Sequence, residues 1–222
     1  MRVDLPNATL FLGNCLDLYK ELEGNALITD PPYGCKNACS YGRNYWDKED
    51  RKMRGITLPT LPRKEWPRVV GDDVPFDPKP WLSYSKVCLF GYNHFAARLP
   101  IGTVFVWVKK RPNAIGLGYN SDAELAWYNK GKGVYVLNHE WQGFMQASER
   151  GKKRLHPVQK PIQIFSDFIF PRMKLQPGDT VVDPYMGTGP IGIACKRLGL
   201  KYIGVEIVPE YFDIAVERIK KE

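Results

Sequence analysis

The sequence is poor in the residues that build metal centres and disulfide scaffolds. It holds three histidines and five cysteines (Cys15, Cys35, Cys39, Cys88 and Cys195) in 222 residues. The cysteines are odd in number and show no metal-ligand pairing, so neither a zinc site nor a disulfide framework is expected, and the thiols read as reduced. No apolar run approaches the roughly 20 residues of a membrane span. Met1-Arg2-Val3-Asp4 begins no secretory signal, which makes a cytoplasmic protein the expectation. Acidic charge is also in deficit: 32 Lys and Arg face 24 Asp and Glu, leaving a net charge of +8. Such an excess points to a polyanionic partner. The length suits a single domain, 1–222, with a full-sized core.

What is present gathers around Ile28-Thr29-Asp30-Pro31-Pro32-Tyr33-Gly34. Residues 26–29 read as a buried strand that must stop at Asp30, because two prolines cannot continue a sheet. Proline has no amide hydrogen, so the carbonyls around Pro31 remain free acceptors on a stiff backbone. A carboxylate, a rigid carbonyl and an aromatic ring are thereby held just past a strand end, where open parallel sheets bind ligands. The bland reading of the same run is a strand-ending turn.

Asp30-Pro31-Pro32-Tyr33 resembles the catalytic motif of the amino-methyltransferases, which methylate an exocyclic amine of a nucleic-acid base. That amine is a poor nucleophile because its lone pair is delocalised into the ring. The resemblance implies that the Asp30 carboxylate and the Pro31 carbonyl accept its hydrogens and localise the pair. It also implies that Tyr33 stacks on the base.

Before this motif, residues 9–12 read as a strand, Gly13-Asn14-Cys15 as its end, and Leu16, Leu18, Tyr19 and Leu22 as one face of a short helix. The resembled enzymes usually carry Gly-Asp where Gly13-Asn14 stands. Asn14 and Cys15 are therefore candidate cofactor contacts, with a plain strand-to-helix turn as the alternative.

After the motif, residues 35–80 form the longest irregular stretch, mixing Arg43, Lys48, Arg51, Lys52 and Arg54 with Tyr41, Tyr45, Trp46 and Trp66. Basic residues interleaved with aromatics suit a phosphate-contacting flap; a solvated insertion is the alternative. Residues 81–84 are expected to end a helix, 86–90 and 103–108 to be strands, 94–99 a short helix, and 122–128 a further strand. Lys109, Lys110 and Arg111 form a basic cluster. A polar loop at 130–155 carries Lys152, Lys153 and Arg154 with Trp141, Phe144 and Met145, and is the second candidate for nucleic-acid contact.

The last third reads as a nucleotide-binding half. Residues 180–183 form a strand in the style of a buried parallel sheet, and Pro190 opens a helix that Gly199 stops. Residues 202–205 form the next strand, which ends in Glu206, an acid suited to ribose hydroxyls. A NAD-type oxidoreductase shares this logic. The loop lacks Gly-x-Gly-x-x-Gly, however, and Asp183 stands where it would repel a pyrophosphate and attract an ammonium group. Asp183-Pro184-Tyr185-Met186-Gly187-Thr188-Gly189 resembles the cofactor motif of DNA methyltransferases, with Tyr185 and Thr188 as mild replacements. His156-Pro157-Val158-Gln159-Lys160-Pro161 resembles the segment that precedes it in those enzymes, making Gln159 and Lys160 weaker cofactor candidates.

The order of these motifs, catalytic first and cofactor last, resembles the beta class of site-specific DNA amino-methyltransferases. The resemblance implies a single doubly wound α/β domain with a mostly parallel, seven-stranded class I methyltransferase-like (Rossmann-like) sheet. The strands would lie near residues 10, 27, 88, 105, 125, 182 and 203, with helices on both faces. It further implies S-adenosyl-L-methionine as cofactor, held by Asp30, Asp183, Tyr185, Gly187, Thr188, Gly189 and Glu206, and double-stranded DNA as partner with a flipped base. A restriction-modification setting and a homodimer belong to the same expectation. An acid at position 30 favours adenine N6; cytosine N4 and a catalytically idle DNA-binding relative are the alternatives.

Overall fold

The computed structural model describes residues 1–35, 69–116, 121–142, 145–152 and 154–222. Arg43, Lys48, Arg51, Lys52, Arg54 and Lys153, expected as DNA contacts, lie outside these.

Each expected strand forms, as β2 (Ala8–Leu12), β3 (Ala26–Thr29), β4 (Lys86–Phe90), β5 (Thr103–Val108), β6 (Ala123–Tyr128), β10 (Thr180–Asp183) and β11 (Lys201–Glu206). The sheet adds two edge strands to them, β1 (Arg2–Leu5) and β7 (Val134–Asn138), in the order β1-β2-β11-β10-β3-β4-β6-β5-β7. The loop expected at 130–155 is thus partly strand. A separate hairpin of β8 (Trp141–Gln142) and β9 (Met145–Gln146) follows β7.

Strands β2, β11, β10, β3 and β4 run parallel, while β6 is antiparallel to both of its neighbours. Two consequences position the site. From β3 the chain moves outward one way to β4, and from β10 it moves the other way to β11. The β3–β10 boundary is therefore the topological switch point, where a crevice opens at the strand carboxyl ends. Because β6 is reversed, its first residues, not its last, reach that same rim.

Side chains alternate between two cores along each strand. Leu10, Ile28, Cys88, Phe90 and Val181 face one layer; Phe11, Leu27, Val87, Leu89 and Val182 face the other. The first layer is covered by three helices. Helix α2 runs from Ile162–Ile164 through a π-helical turn at Phe165–Ile169 to Phe170–Arg172, α3 spans Pro190–Arg197 and α4 spans Pro209–Lys221. Helix α3 ends in a Schellman motif: Gly199, at φ +67, lets the Leu200 amide donate to the Cys195 carbonyl at 3.0 Å.

The second layer is covered differently from expectation. Among the described residues, its cover consists of single turns, Tyr19–Glu21, Lys79–Trp81, α1 (Tyr92–Phe95) and Ala96–Arg98, around Phe76, Trp81 and Phe95. The helix expected to end at 81–84 is only the 3-10 turn Lys79–Trp81, since Pro78 and Pro80 withhold the amides that a longer helix needs. The helix expected from Leu16 is likewise one turn, with Leu16 54% exposed. Among the described residues, no helix is long and apolar enough to cross a membrane.

Candidate active site

A cleft of about 1380 Å³ opens along the carboxyl rim, lined by Asn14, Cys15, the run Asp30 to Tyr33, Glu124, Lys160, Asp183, Tyr185 and Glu206 among others. The two sequence motifs meet at the switch point: Thr29, last in β3, donates its hydroxyl to Asp183 Oδ1 at 2.6 Å, across 154 residues of chain.

Asp183 is 1% exposed and surrounded by neutral donors. Its other oxygen accepts the Tyr202 hydroxyl at 3.0 Å, and the Tyr185 amide donates to Oδ1 at 3.3 Å. Burial outweighs these bonds and pushes the carboxyl up to about 7. A cation entering the cleft would reverse that cost. Glu206, at the end of β11, accepts the Gly187 amide on Oε2 at 2.9 Å and the Val208 amide on Oε1 at 2.8 Å. The carboxylate therefore fixes the glycine loop while keeping spare lone pairs toward the cleft. Gly187 and Gly189 stand at φ +52 and +75, which a side chain would strain. Thr188 is buried, and its carbonyl and hydroxyl accept Arg218 Nη1 of α4 at 2.6 and 3.0 Å.

At the other end, Asp30 accepts the Tyr33 hydroxyl on one oxygen and the Lys160 ammonium on the other. Lys160, expected beside the cofactor, lines the cleft and bridges Asp30 and Glu124, lying 3.0 Å from Glu124 Oε2. Glu124 Oε1 takes Lys109 at 2.8 Å. Burial opposes every charge in this set. For Glu124 the two ammonium groups prevail and hold it down at about 2, and for Lys160 the two carboxylates prevail and raise it. For Asp30, burial and the Glu124 charge outweigh Lys160, and its carboxyl is raised.

Gln159 also lines the cleft, and its side chain is engaged: Oε1 accepts the Leu155 amide at 3.0 Å and Nε2 donates to Glu149 at 3.4 Å, so it braces the segment ahead of α2. Asn14 is exposed and closes an Asx turn with the Leu16 amide at 3.1 Å; Cys15 is buried against Tyr185. Tyr33 is not open for stacking on both faces, since His94 lies parallel to its ring at 4.8 Å. Gly91, at φ +79, is required there: a Cβ would come within 2.0 Å of Tyr33 Cε1.

The basic cluster after β5 is paired with carboxylates. Lys110 is buried and paired with Asp122 at 2.5 Å, Lys109 with Glu124, and Arg111 with Glu140 at 2.6 Å. Lys109 and Lys110 thereby tie the end of β5 to the start of β6, whereas Arg111, with its side chain 58% exposed, stays at the surface. Lys152 is exposed, and Arg154 Nε donates to the His156 carbonyl at 3.2 Å. Three functional candidates escaped the sequence reading: Glu124, His94 and Asp72. Asp72 Oδ1 accepts three successive amides, those of Tyr33, Gly34 and Cys35, at 3.1, 3.0 and 3.3 Å. No local pattern marks any of the three.

Type II methyltransferase M2.DpnII of Streptococcus pneumoniae is 31% identical over 117 residues, which cover 53% of this chain and 41% of that protein. The chain thus spans less than half the length of that curated relative. The PvuII cytosine-N4-specific DNA methyltransferase shares the fold at a TM-score of 0.59 and 16% identity, over 96% of this chain and 86% of that one. The crystal structure of an M1.HpyAVI–SAM complex does so at 0.53 and 22%, over 95% and 98%. The DNA methylase family model, which joins the N6 and N4 methyltransferases, matches residues 25–217, and the chain belongs to that family of amino-methyltransferases.

Proposed function

We propose that this chain moves a methyl group from S-adenosyl-L-methionine to the exocyclic amine of a base flipped out of double-stranded DNA, with adenine N6 as that amine. The observation that carries the reading is the meeting of Asp30-Pro31-Pro32-Tyr33 with Asp183 and Glu206 in one cleft. Its volume, about 1380 Å³, exceeds the roughly 300–1,000 Å³ of a single-ligand pocket, as a cofactor and a base together require.

The residues fit the cofactor. Asp183, buried without a cationic partner among its hydrogen bonds, suits the ammonium group, and Glu206 keeps lone pairs for ribose hydroxyls. The cofactor supplies an electrophilic methyl on a sulfonium centre. The chain's own part is orientation: Asp30 and the Pro31 carbonyl accept the amine hydrogens, and the amine must displace Tyr33 or Lys160 from Asp30 to bond there. Holding the amine in line with the methyl supplies much of the remaining acceleration.

Adenine is preferred because the resembled adenine enzymes usually carry an acid at the position of Asp30, whereas the cytosine enzymes more often carry serine. Cytosine N4 is the second reading, favoured by the fold shared with the cytosine-N4-specific PvuII enzyme. Digesting treated DNA to nucleosides and resolving them by mass spectrometry decides between them. N6-methyladenine is expected; N4-methylcytosine alone would overturn the base assignment and leave methyl transfer standing.

A further inference from the structure

The charged set at the base end of the cleft contains more than the motif requires. Asp30 is faced by the Tyr33 hydroxyl from its own loop, by Lys160 from the segment ahead of α2, and by Glu124 from the first residues of β6. Behind Glu124 stands Lys109 from the end of β5, and Asp183 closes the set from β10. Lys160 is nearly enclosed, with its side chain 6% exposed, so water does little to screen its pull on Asp30. With one carboxylate partner, a buried ammonium would close on it as a tight pair, and the amine would have to break that pair to reach Asp30. Here Lys160 has two carboxylate neighbours: it donates a hydrogen bond to Asp30 Oδ2 and lies 3.0 Å from Glu124 Oε2, an ion-pair contact that makes no hydrogen bond of good geometry.

We propose that Glu124 is a positioning residue: as the second carboxylate beside the Lys160 ammonium, 3.0 Å away, it receives Lys160 when the target amine displaces that ammonium from Asp30. This rests on the methyl-transfer reading above. Charge bookkeeping points the same way. Asp30, Lys160, Glu124 and Lys109 form a set of two anions and two cations. The amine nitrogen would gain positive charge as its bond to the methyl forms and the methyl–sulfur bond breaks, leaving a neutral thioether, and it would then pass a proton to the Asp30 carboxylate and on to solvent. Without Glu124 that charge would develop beside a net cationic cluster.

Two substitutions separate positioning from simple support. In Glu124→Gln, Lys160 has no second carboxylate to receive it and the anion that raises the Asp30 carboxyl is gone, so the acid limb of the pH–rate profile moves to lower pH. In Lys160→Met, Asp30 loses its stabilising cation, and the limb moves to higher pH. The assay is single-turnover transfer of labelled methyl from S-adenosyl-L-methionine to polymerase-copied, unmethylated genomic DNA, from about pH 5 to 9. Circular dichroism and the urea-unfolding midpoint of each variant are the folding control.

Expected are a plateau rate lowered about tenfold or more in Glu124→Gln and limbs displaced in opposite directions in the two variants. A Glu124→Gln profile that superimposes on the parent, or that falls equally at every pH, overturns the proposal. If Glu124→Gln fails the folding control, the Lys160→Met limb still decides, and an unmoved limb overturns it. A parent protein that labels no DNA would overturn the methyl-transfer reading itself and this inference with it.

Discussion

Replacing Asp183 by Asn should make the protein more stable above neutral pH and weaken its hold on the cofactor, both for one electrostatic reason. Burial pushes the Asp183 carboxyl from 3.8 up to about 7, although three neutral donors hold it. The native state therefore keeps the proton to higher pH than the unfolded chain. Stability from this group is full below about pH 4 and is lost as the pH rises through about 7. Three units at 1.36 kcal/mol each amount to about 4 kcal/mol, fully developed by about pH 8. Asn carries no charge to bury. It gives up one acceptor, so the Tyr202 hydroxyl must turn to accept from Nδ2, at a cost of about 1–2 kcal/mol. The variant should thus be about 2–3 kcal/mol more stable than the parent near pH 8, about equal to it near pH 5, where the parent has already lost about 1.7 kcal/mol, and about 1–2 kcal/mol less stable only below about pH 4. Urea unfolding of both proteins at these pH values measures this directly, and calorimetry should find cofactor Kd raised about tenfold or more in the variant. A stability difference that is equal at all of them would refute the reasoning, because it would mean that Asp183 is ionised at no cost.

Gly91→Ala should push Tyr33 off its present position, lowering methyl transfer about tenfold or more while cofactor affinity stays unchanged; equal rates would show that the Tyr33 position is immaterial. Asp72→Ala removes the acceptor of three amides in the catalytic loop and should lower kcat about tenfold with little change in cofactor Kd, since about 1.4 kcal/mol of lost order suffices. Glu206→Gln replaces one acceptor oxygen by a donor where Gly187 and Val208 already donate, so cofactor Kd should rise several-fold; unchanged calorimetry would remove Glu206 from the cofactor site. Neutralising Arg51, Lys52 and Arg54 together should flatten the salt dependence of DNA binding, and an unaltered slope would return the 35–80 stretch to a solvated insertion.

The strands and the two motifs were legible because each rests on a local signal. Apolar runs such as Val87 to Phe90 name buried strands, and prolines and glycines name where they stop. The missed strands lacked that signal. In β1, Arg2 and Asp4 alternate with half-buried Val3 and Leu5, and in β7 Val134 and Val136 are 66% and 57% exposed on the sheet's edge. Lys109 and Lys110 were misread for a related reason. Their partners Glu124 and Asp122 become neighbours only through the antiparallel β5–β6 register, in which Trp107 faces Glu124. Glu124 itself reaches the rim because β6 is reversed, and the sequence of a strand does not state its direction. Asp72 binds the catalytic loop from 38 residues away at Gly34, a contact that no local pattern encodes.

The central claim is that Asp30 presents an amine of duplex DNA to a methyl donor bound between Asp183 and Glu206. Its most direct test is incubation of the protein with S-adenosyl-L-methionine labelled in the methyl group and unmethylated genomic duplex DNA, with Asp30→Ala alongside. The account predicts label in the DNA for the parent, none above background for Asp30→Ala, and the same circular dichroism spectrum and unfolding midpoint for both. Label transferred by Asp30→Ala within a few-fold of the parent, or none transferred by the parent, would contradict it.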